Sequence, residues 1–202
     1  MPFSKLEIKA KKGLLLFVLA FVTIFFYANK AFSISSQEEK AEPAISDVSI
    51  FEKDKALYLS FYLKNGLPKY IEKAIRSGIP VKYYFSITLK KNGFLWDDKL
   101  LSFEVKKTII FDNLKNKFFI FQNYPSNKVL TTRKLKKAKE YLLTVKNLKL
   151  ISLKQLSKNN RYSVEIKARC EKEKTSIPFS RLIKFFSSFG FSTETYEFEF
   201  IY

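Results

Sequence analysis

Five stretches of this chain alternate between apolar and polar side chains at every second position, and that period constrains the fold more than any other feature. Leu57, Leu59, Phe61 and Leu63 alternate with Tyr58, Ser60 and Tyr62. Val81, Tyr83, Phe85, Ile87 and Leu89 alternate with Lys82, Tyr84, Ser86 and Thr88. Leu101, Phe103 and Val105 alternate with Ser102, Glu104 and Lys106, and Tyr162, Val164, Ile166 and Ala168 with Ser163, Glu165, Lys167 and Arg169. The last run, Tyr196 to Tyr202, sets aromatic residues against Glu197 and Glu199. Successive side chains of a strand point to opposite faces, so each run buries one face and wets the other, the pattern of antiparallel sheets.

Turns and helices fill in the remainder. Lys91-Asn92-Gly93 predicts a hairpin turn, because Asn-Gly accepts the positive φ of tight turns. Asp112 to Asn116 predicts a second turn, leading into a strand at Lys117–Gln122, and a first strand is expected near Ile45–Phe51. Leu67-Pro68 through Ser77 reads as a helix, with Pro in its first turn, Ile71, Ala74 and Ile75 on one face and Gly78 at its C-terminal cap. A second helix is expected from about Thr132 to Leu148, where Leu135, Ala138, Leu142, Val145 and Leu148 fall on one stripe. A third, after Pro178, covers about Ser180–Ser188. The expected fold is mainly β: an antiparallel β-sandwich, immunoglobulin-like or an incomplete barrel, with two or three short helices. A membrane barrel fits less well, since spanning strands need about 9–11 residues and a Lys-rich helix interrupts the runs.

Upstream, residues 1–12 carry four Lys and one Glu, and an unbroken apolar run follows from Gly13 to Ala28. A basic stretch, an apolar one and then Ala31-Phe32-Ser33, with small residues suited to a cleavage site, read as an export signal. Sixteen helical residues rise roughly 24 Å, short of the ~30 Å hydrocarbon layer, which fits a cleaved signal. An N-terminal hydrophobic helix extended to Ile34, with Lys30 snorkelling, is long enough to remain as an anchor. Both outcomes stay open, and both send the remainder across the membrane to an extracytoplasmic, periplasmic location. The expected organisation is 1–33 signal peptide or signal anchor, 34–43 polar tether and 44–202 β-rich extracytoplasmic domain.

Composition then removes most chemistries. The chain has no His, so neither a Ser-His-Asp apparatus nor a His-ligated metal can be assembled. Its single Cys, Cys170, makes neither an internal disulfide nor a zinc cluster, and five scattered Gly supply no phosphate-binding loop. No cofactor is expected. The 37 Lys+Arg against 19 Asp+Glu leave a net charge of +18, of which only five residues are Arg. Part of that excess fits a Lys-, Ile- and Phe-rich composition, and net charge alone does not make a nucleic-acid binder; none is expected as a partner.

The stretch Ile71–Leu89 (IEKAIRSGIPVKYYFSITL), then Phe94-Leu-Trp-Asp-Asp-Lys99, Leu114, Phe119, Ile177-Pro178-Phe179 and Phe191-Ser-Thr-Glu-Thr-Tyr196 together resemble a bacterial exported family known only as domain of unknown function forty-three ninety. The likeness covers most of Ala44–Tyr202. It implies an exported β-rich domain in Gram-negative bacteria and carries over no catalytic residue. Its motifs are structural: Gly78, Pro80, Trp96, Asp97 and Pro178 are expected at corners of the fold.

Three constellations remain. Trp96-Asp97-Asp98 has the makings of a sugar platform or half a calcium site, but neighbouring carboxylates on a strand point apart, which favours a plain corner. Glu171, Glu173, Glu194, Glu197 and Glu199 include enough acids for glycoside hydrolysis if two face one cleft, though their alternation with aromatics suits a solvated strand face. Between Lys106 and Lys158 there are 14 basic residues and only two acids, Asp112 and Glu140. Within that stretch Arg133, Lys134, Lys136, Lys137 and Lys139 form a candidate contact for anionic lipid or lipopolysaccharide head groups; the bland alternative is a solvated helix face. The reading is therefore an exported cell-envelope domain that binds or assembles and is not an enzyme, with the inner-membrane surface, envelope proteins or anionic lipid as partners. An envelope lipid or lipopolysaccharide transfer component, with an apolar groove between sheets, is the first alternative. A carboxylate hydrolase using two of Asp97, Asp98, Glu171, Glu194, Glu197 and Glu199 is the second.

Overall fold

The parity of each alternating run decides which side chains meet. The computed structural model describes residues 41–172 and 190–202. Its strands are β1 (Ala44–Lys53), β2 (Ala56–Lys64), β3 (Val81–Lys91), β4 (Asp98–Asp112), β5 (Lys117–Gln122), β6 (Lys128–Thr132), β7 (Thr144–Ser152), β8 (Arg161–Lys172), β9 (Gly190–Ser192) and β10 (Tyr196–Ile201). Helices α1 (Lys69–Arg76) and α2 (Leu135–Leu143) interrupt them. The expected N-terminal segment 1–33, residues 34–40 of the tether, the third helix and Pro178 lie outside the described residues.

One sheet has the order β1-β2-β7 and the other β10-β8-β3-β4-β5-β6, with β9 also on β8; every pairing is antiparallel and neither sheet closes into a barrel. Leu57, Leu59, Phe61 and Leu63 of β2 and Val81, Tyr83, Phe85, Ile87 and Leu89 of β3 are all buried, as their period requires. The sheets share one core: Phe61 meets Phe85 edge-on with ring centroids 5.6 Å apart. Tyr83, fully buried, keeps its hydroxyl satisfied by donating to the Gly66 carbonyl at 2.8 Å.

Helix α1 follows the expected design. Pro68 stands immediately before it, Ile71, Ala74 and Ile75 face the core, and Glu72 pairs with Arg76 one turn on at 2.8 Å. Gly78 adopts φ +79°. Its N–H reaches the Ile75 carbonyl at 2.9 Å while that of Ile79 reaches Ala74 at 3.1 Å, the paired closure that a left-handed residue after a helix permits. The Asp112 turn also forms: Asp112 Oδ1 accepts the N–H groups of Leu114 and Lys115, each at 3.0 Å, and Asn116 takes φ +49° before β5.

Two expectations need correction. The helix expected over Thr132–Leu148 is only Leu135–Leu143, separated from β6 by Arg133 and Lys134 and followed directly by β7. Val145, Leu148 and Ile151 are buried on β7, a spacing of three that imitates a helical stripe. Its cause is two bulges. Between Leu57↔Ile151 and Tyr58↔Lys149, and again between Leu59↔Leu148 and Phe61↔Val145, β7 spends one residue more than β2. Asn147 absorbs the second of these with φ +52°, its N–H donating to Ser60 Oγ at 3.0 Å. The other correction concerns turns. Asn92-Gly93 sits in a six-residue connection from Lys91 to Asp98, and neither residue has positive φ. Gly93 serves there for lack of a side chain, since a Cβ would lie 2.1 Å from the Trp96 carbonyl. The two-residue hairpin turn is Asp54-Lys55, with φ +49° and +57°, between β1 and β2.

Candidate functional site

Helix α2 carries charge at one end and covers a buried cation at the other. Ala138, Leu142 and Leu143 point inward, against strands of both sheets. Outward, Arg133, Lys134, Lys136 and Lys137 are exposed and Lys139 is half-buried. The Thr132 hydroxyl oxygen accepts the Lys134 N–H at 3.1 Å and the Lys134 carbonyl accepts that of Ala138 at 3.0 Å, which fixes where the helix begins. Among the described residues no carboxylate forms an ion pair with these five cations. Glu140, the helix's own acid, pairs instead with Lys146 on β7 at 3.2 Å. Cations at a helix N-terminus oppose the macrodipole by about 0.3–1 kcal/mol each. The basic edge therefore does not hold the helix together.

At the other end, Lys107 lies on β4 between buried Val105 and Ile109, on the inward parity, and is 3% exposed. Its ammonium donates to the Tyr141 carbonyl at 2.8 Å and to that of Thr144. These carbonyls flank the C-terminus of α2, where the dipole favours a cation and the helix has no basic residue in its own last turn. The ring of Phe85 lies 5.8 Å from Nζ. Burial lowers the Lys107 pKa to about 8. Lys107 also lines a cavity of about 220 Å³, together with Gln122, Tyr124, Lys128, Glu140 and Lys146. Val105, Pro125, Leu130, Val145 and Leu148 also line it, and its volume lies below the ~300–1,000 Å³ of ordinary small-molecule sites. A shallow groove of about 300 Å³ lies on the other face of the same strands, lined by Lys106, Phe121, Lys128 and Val129 among others.

The hairpin joining β3 to β4 presents Phe94, Leu95 and Trp96 at 100%, 74% and 75% exposure. Trp96 thus does not pack into a corner, whereas Asp97 helps build one by accepting the Gly93 N–H at 3.3 Å. Gly78 and Pro80 flank the entry to β3, and a Cβ on Gly78 would come 3.3 Å from the Asn113 amide. From Asp98 to Asp112 β4 spans at most ~48 Å. The basic edge follows β6 at the Asp112 end, so it and the apolar tip belong to opposite ends of the sheet. The acids are spread along strand faces: Glu171 pairs with Arg169 at 3.3 Å, Glu199 accepts from Asn92 at 3.4 Å, Glu197 stands opposite Glu165, and Asp98 and Glu194 are exposed. None of Asp97, Asp98, Glu171, Glu194, Glu197 and Glu199 lines either cavity. Glu173 lies outside the described residues.

Lys107 was not among the residues that the sequence singled out. Charge alone suggests a solvated lysine; the sign of its burial is parity, because Lys107 takes the apolar position in the row Leu101, Phe103, Val105, Ile109.

Comparison with known proteins adds a family and no activity. No curated protein and no solved structure matches the chain. A family profile described as a domain of unknown function matches residues 40–199, which takes in both helices and every strand described above except the last two residues of β10, and the chain belongs to that family, DUF4390.

Proposed function

We propose that this domain is a non-catalytic binding module of an exported cell-envelope protein, and that it meets anionic head groups at the inner-membrane surface through Arg133, Lys134, Lys136, Lys137 and Lys139. The observation that carries this reading is the basic edge of α2: without ion-pair partners among the described residues, and with Arg133, Lys134, Lys136 and Lys137 exposed at the end where the helix dipole disfavours cations. A charge arrangement that weakens its own helix needs a reason outside the fold. The export reading rests on the basic and apolar N-terminal sequence. The packing of two sheets through Phe61 and Phe85 supports a sandwich that presents the helix edge rigidly.

Each lysine near an anionic surface contributes about 1 kcal/mol, so four exposed cations supply roughly 4 kcal/mol, a thousandfold in partitioning at low salt. Co-sedimentation with vesicles containing phosphatidylglycerol tests this. Binding should scale with anionic lipid, fall with added salt, and collapse when Arg133, Lys134, Lys136, Lys137 and Lys139 are changed to Gln. Unchanged binding by that variant, folded as the parent, overturns the proposal.

A further inference from the structure

A cation removed from water calls for a counter-charge, and Lys107 has none: no carboxylate pairs with it among the described residues. An ammonium has three N–H donors. Two go to the carbonyls of Tyr141 and Thr144, and the third has no hydrogen-bond partner among the described residues, in a side chain that lines an open cavity. We propose that the cavity bounded by β4, β6, α2 and β7 binds an oxyanion, a phosphate- or sulfate-type group, seated on the Lys107 ammonium.

Val105, Pro125, Leu130, Val145 and Leu148 form the apolar part of the wall, and the charged part is mostly basic. From β6 the lining includes Lys128, from β7 Lys146, from the β5–β6 connection Tyr124, and from α2 Glu140 and Tyr141. Phe85 of β3 covers the ammonium from beneath. Glu140 is the only acid in the lining among the described residues, and Lys146 engages it at 3.2 Å. The lining therefore sums to three cations against one carboxylate. A water occupies ~30 Å³ of liquid, so about 220 Å³ accommodates a tetrahedral oxyanion with a few waters. The site goes beyond the surface reading of α2, because it uses the opposite end of the helix and a different strand. The group is carried either by a dissolved anion or by a lipid head group, with the same chemistry at Lys107.

Sulfate is the useful probe, since its charge does not change over the pH range of interest. The full chain labelled with ¹³Cε-lysine is titrated with sodium sulfate at constant ionic strength, alongside calorimetry. The Lys107 signal should respond saturably. Affinity should fall roughly thirtyfold between pH 7 and 9.5 as Lys107 releases its proton. Lys107→Met should abolish uptake, and Lys128→Ala should weaken it several-fold while preserving the pH profile. If the Met variant does not fold, the Lys107 signal of the parent remains the readout. Vesicles containing phosphatidate form the second arm: a Lys107 response to them alone assigns a head group, and a response to sulfate alone assigns a dissolved anion. No saturable Lys107 response in either arm, or sulfate uptake that survives in a folded Lys107→Met variant, overturns the proposal. Neutralising Arg133, Lys134, Lys136 and Lys137 should leave the sulfate response intact, which separates failure here from failure of the surface reading.

Discussion

Replacing Lys107 by Met should change how the stability of the domain depends on pH, with a sign and size that follow from burial. The ordinary lysine pKa of 10.5 falls to about 8 in the fold because burial disfavours the ammonium. Below pH 8 the native and unfolded chains both hold the proton, and the cost of burying the charge is fully present. Between pH 8 and 10.5 the native chain has released a proton that the unfolded chain still binds, so stability rises with pH. From pH 7 to pH 9 the gain is about 1.3 kcal/mol. Above pH 9 another group opposes it. Burial pushes the Cys170 thiol from 9.0 up to about 12, so the unfolded thiol ionises where the native one does not, and stability falls by ~1.4 kcal/mol per pH unit from there to pH 12. Tyr83, raised well above 10.0 by burial, adds to the fall. The wild-type chain should therefore reach its stability maximum near pH ~9.5.

The difference between wild type and Lys107→Met isolates the lysine, because Cys170, Tyr83 and the surface charges contribute alike to both. Guanidinium unfolding at pH 7, 8 and 9, with the slope held common, should show that difference growing by about 1.3 kcal/mol in favour of wild type. At pH 7 the two proteins should lie closer than a buried substitution usually allows. Met removes a charge-burial cost but also removes the two hydrogen bonds that the ammonium donates to the carbonyls of Tyr141 and Thr144, about 1.5–3 kcal/mol each. Parallel pH profiles for the two proteins would refute the reasoning, since they would mean that Lys107 titrates alike in the folded and unfolded chains.

Two further outcomes follow from backbone and exposure. Gly78→Ala should lower stability by about 1–2 kcal/mol, a melting-temperature drop of roughly 2–8 °C, because an alanine at φ +79° brings Cβ toward a carbonyl and toward Asn113; an unchanged or raised melting temperature contradicts the left-handed cap. Trp96 is the chain's single tryptophan and is 75% exposed, so acrylamide should quench its fluorescence nearly as well in the native as in the unfolded protein. Changing Phe94, Leu95 and Trp96 to Ser should shift stability by no more than ~0.5 kcal/mol per site, and a larger loss would show that the tip packs against something.

What the sequence discloses of this fold depends on whether backbone geometry stays regular. β2, β3, β8 and β10 are legible because an unbroken pleat preserves the period of two across each alternating run. β7 is not, because two inserted residues convert its buried row into Val145, Leu148 and Ile151, and a period of three reads as helix. Of the expected turns, Asp112–Asn116 forms and the Asn92-Gly93 hairpin is longer than a tight turn: the β3–β4 connection takes six residues, while Asp54-Lys55 adopts positive φ without glycine. The site divides in the same way. The cations of α2 stand out by number, whereas Lys107 carries no compositional mark at all. What marks it is a conflict of levels, a charged side chain at the apolar parity of a strand whose neighbours Val105 and Ile109 are both buried. A sequence selected for stability alone would place a hydrocarbon there and close the end of α2 with its own residues. Local choices that contradict the fold around them gather where function imposes them. On the oxyanion proposal, a parity break on a long strand marks a site that total charge does not reveal.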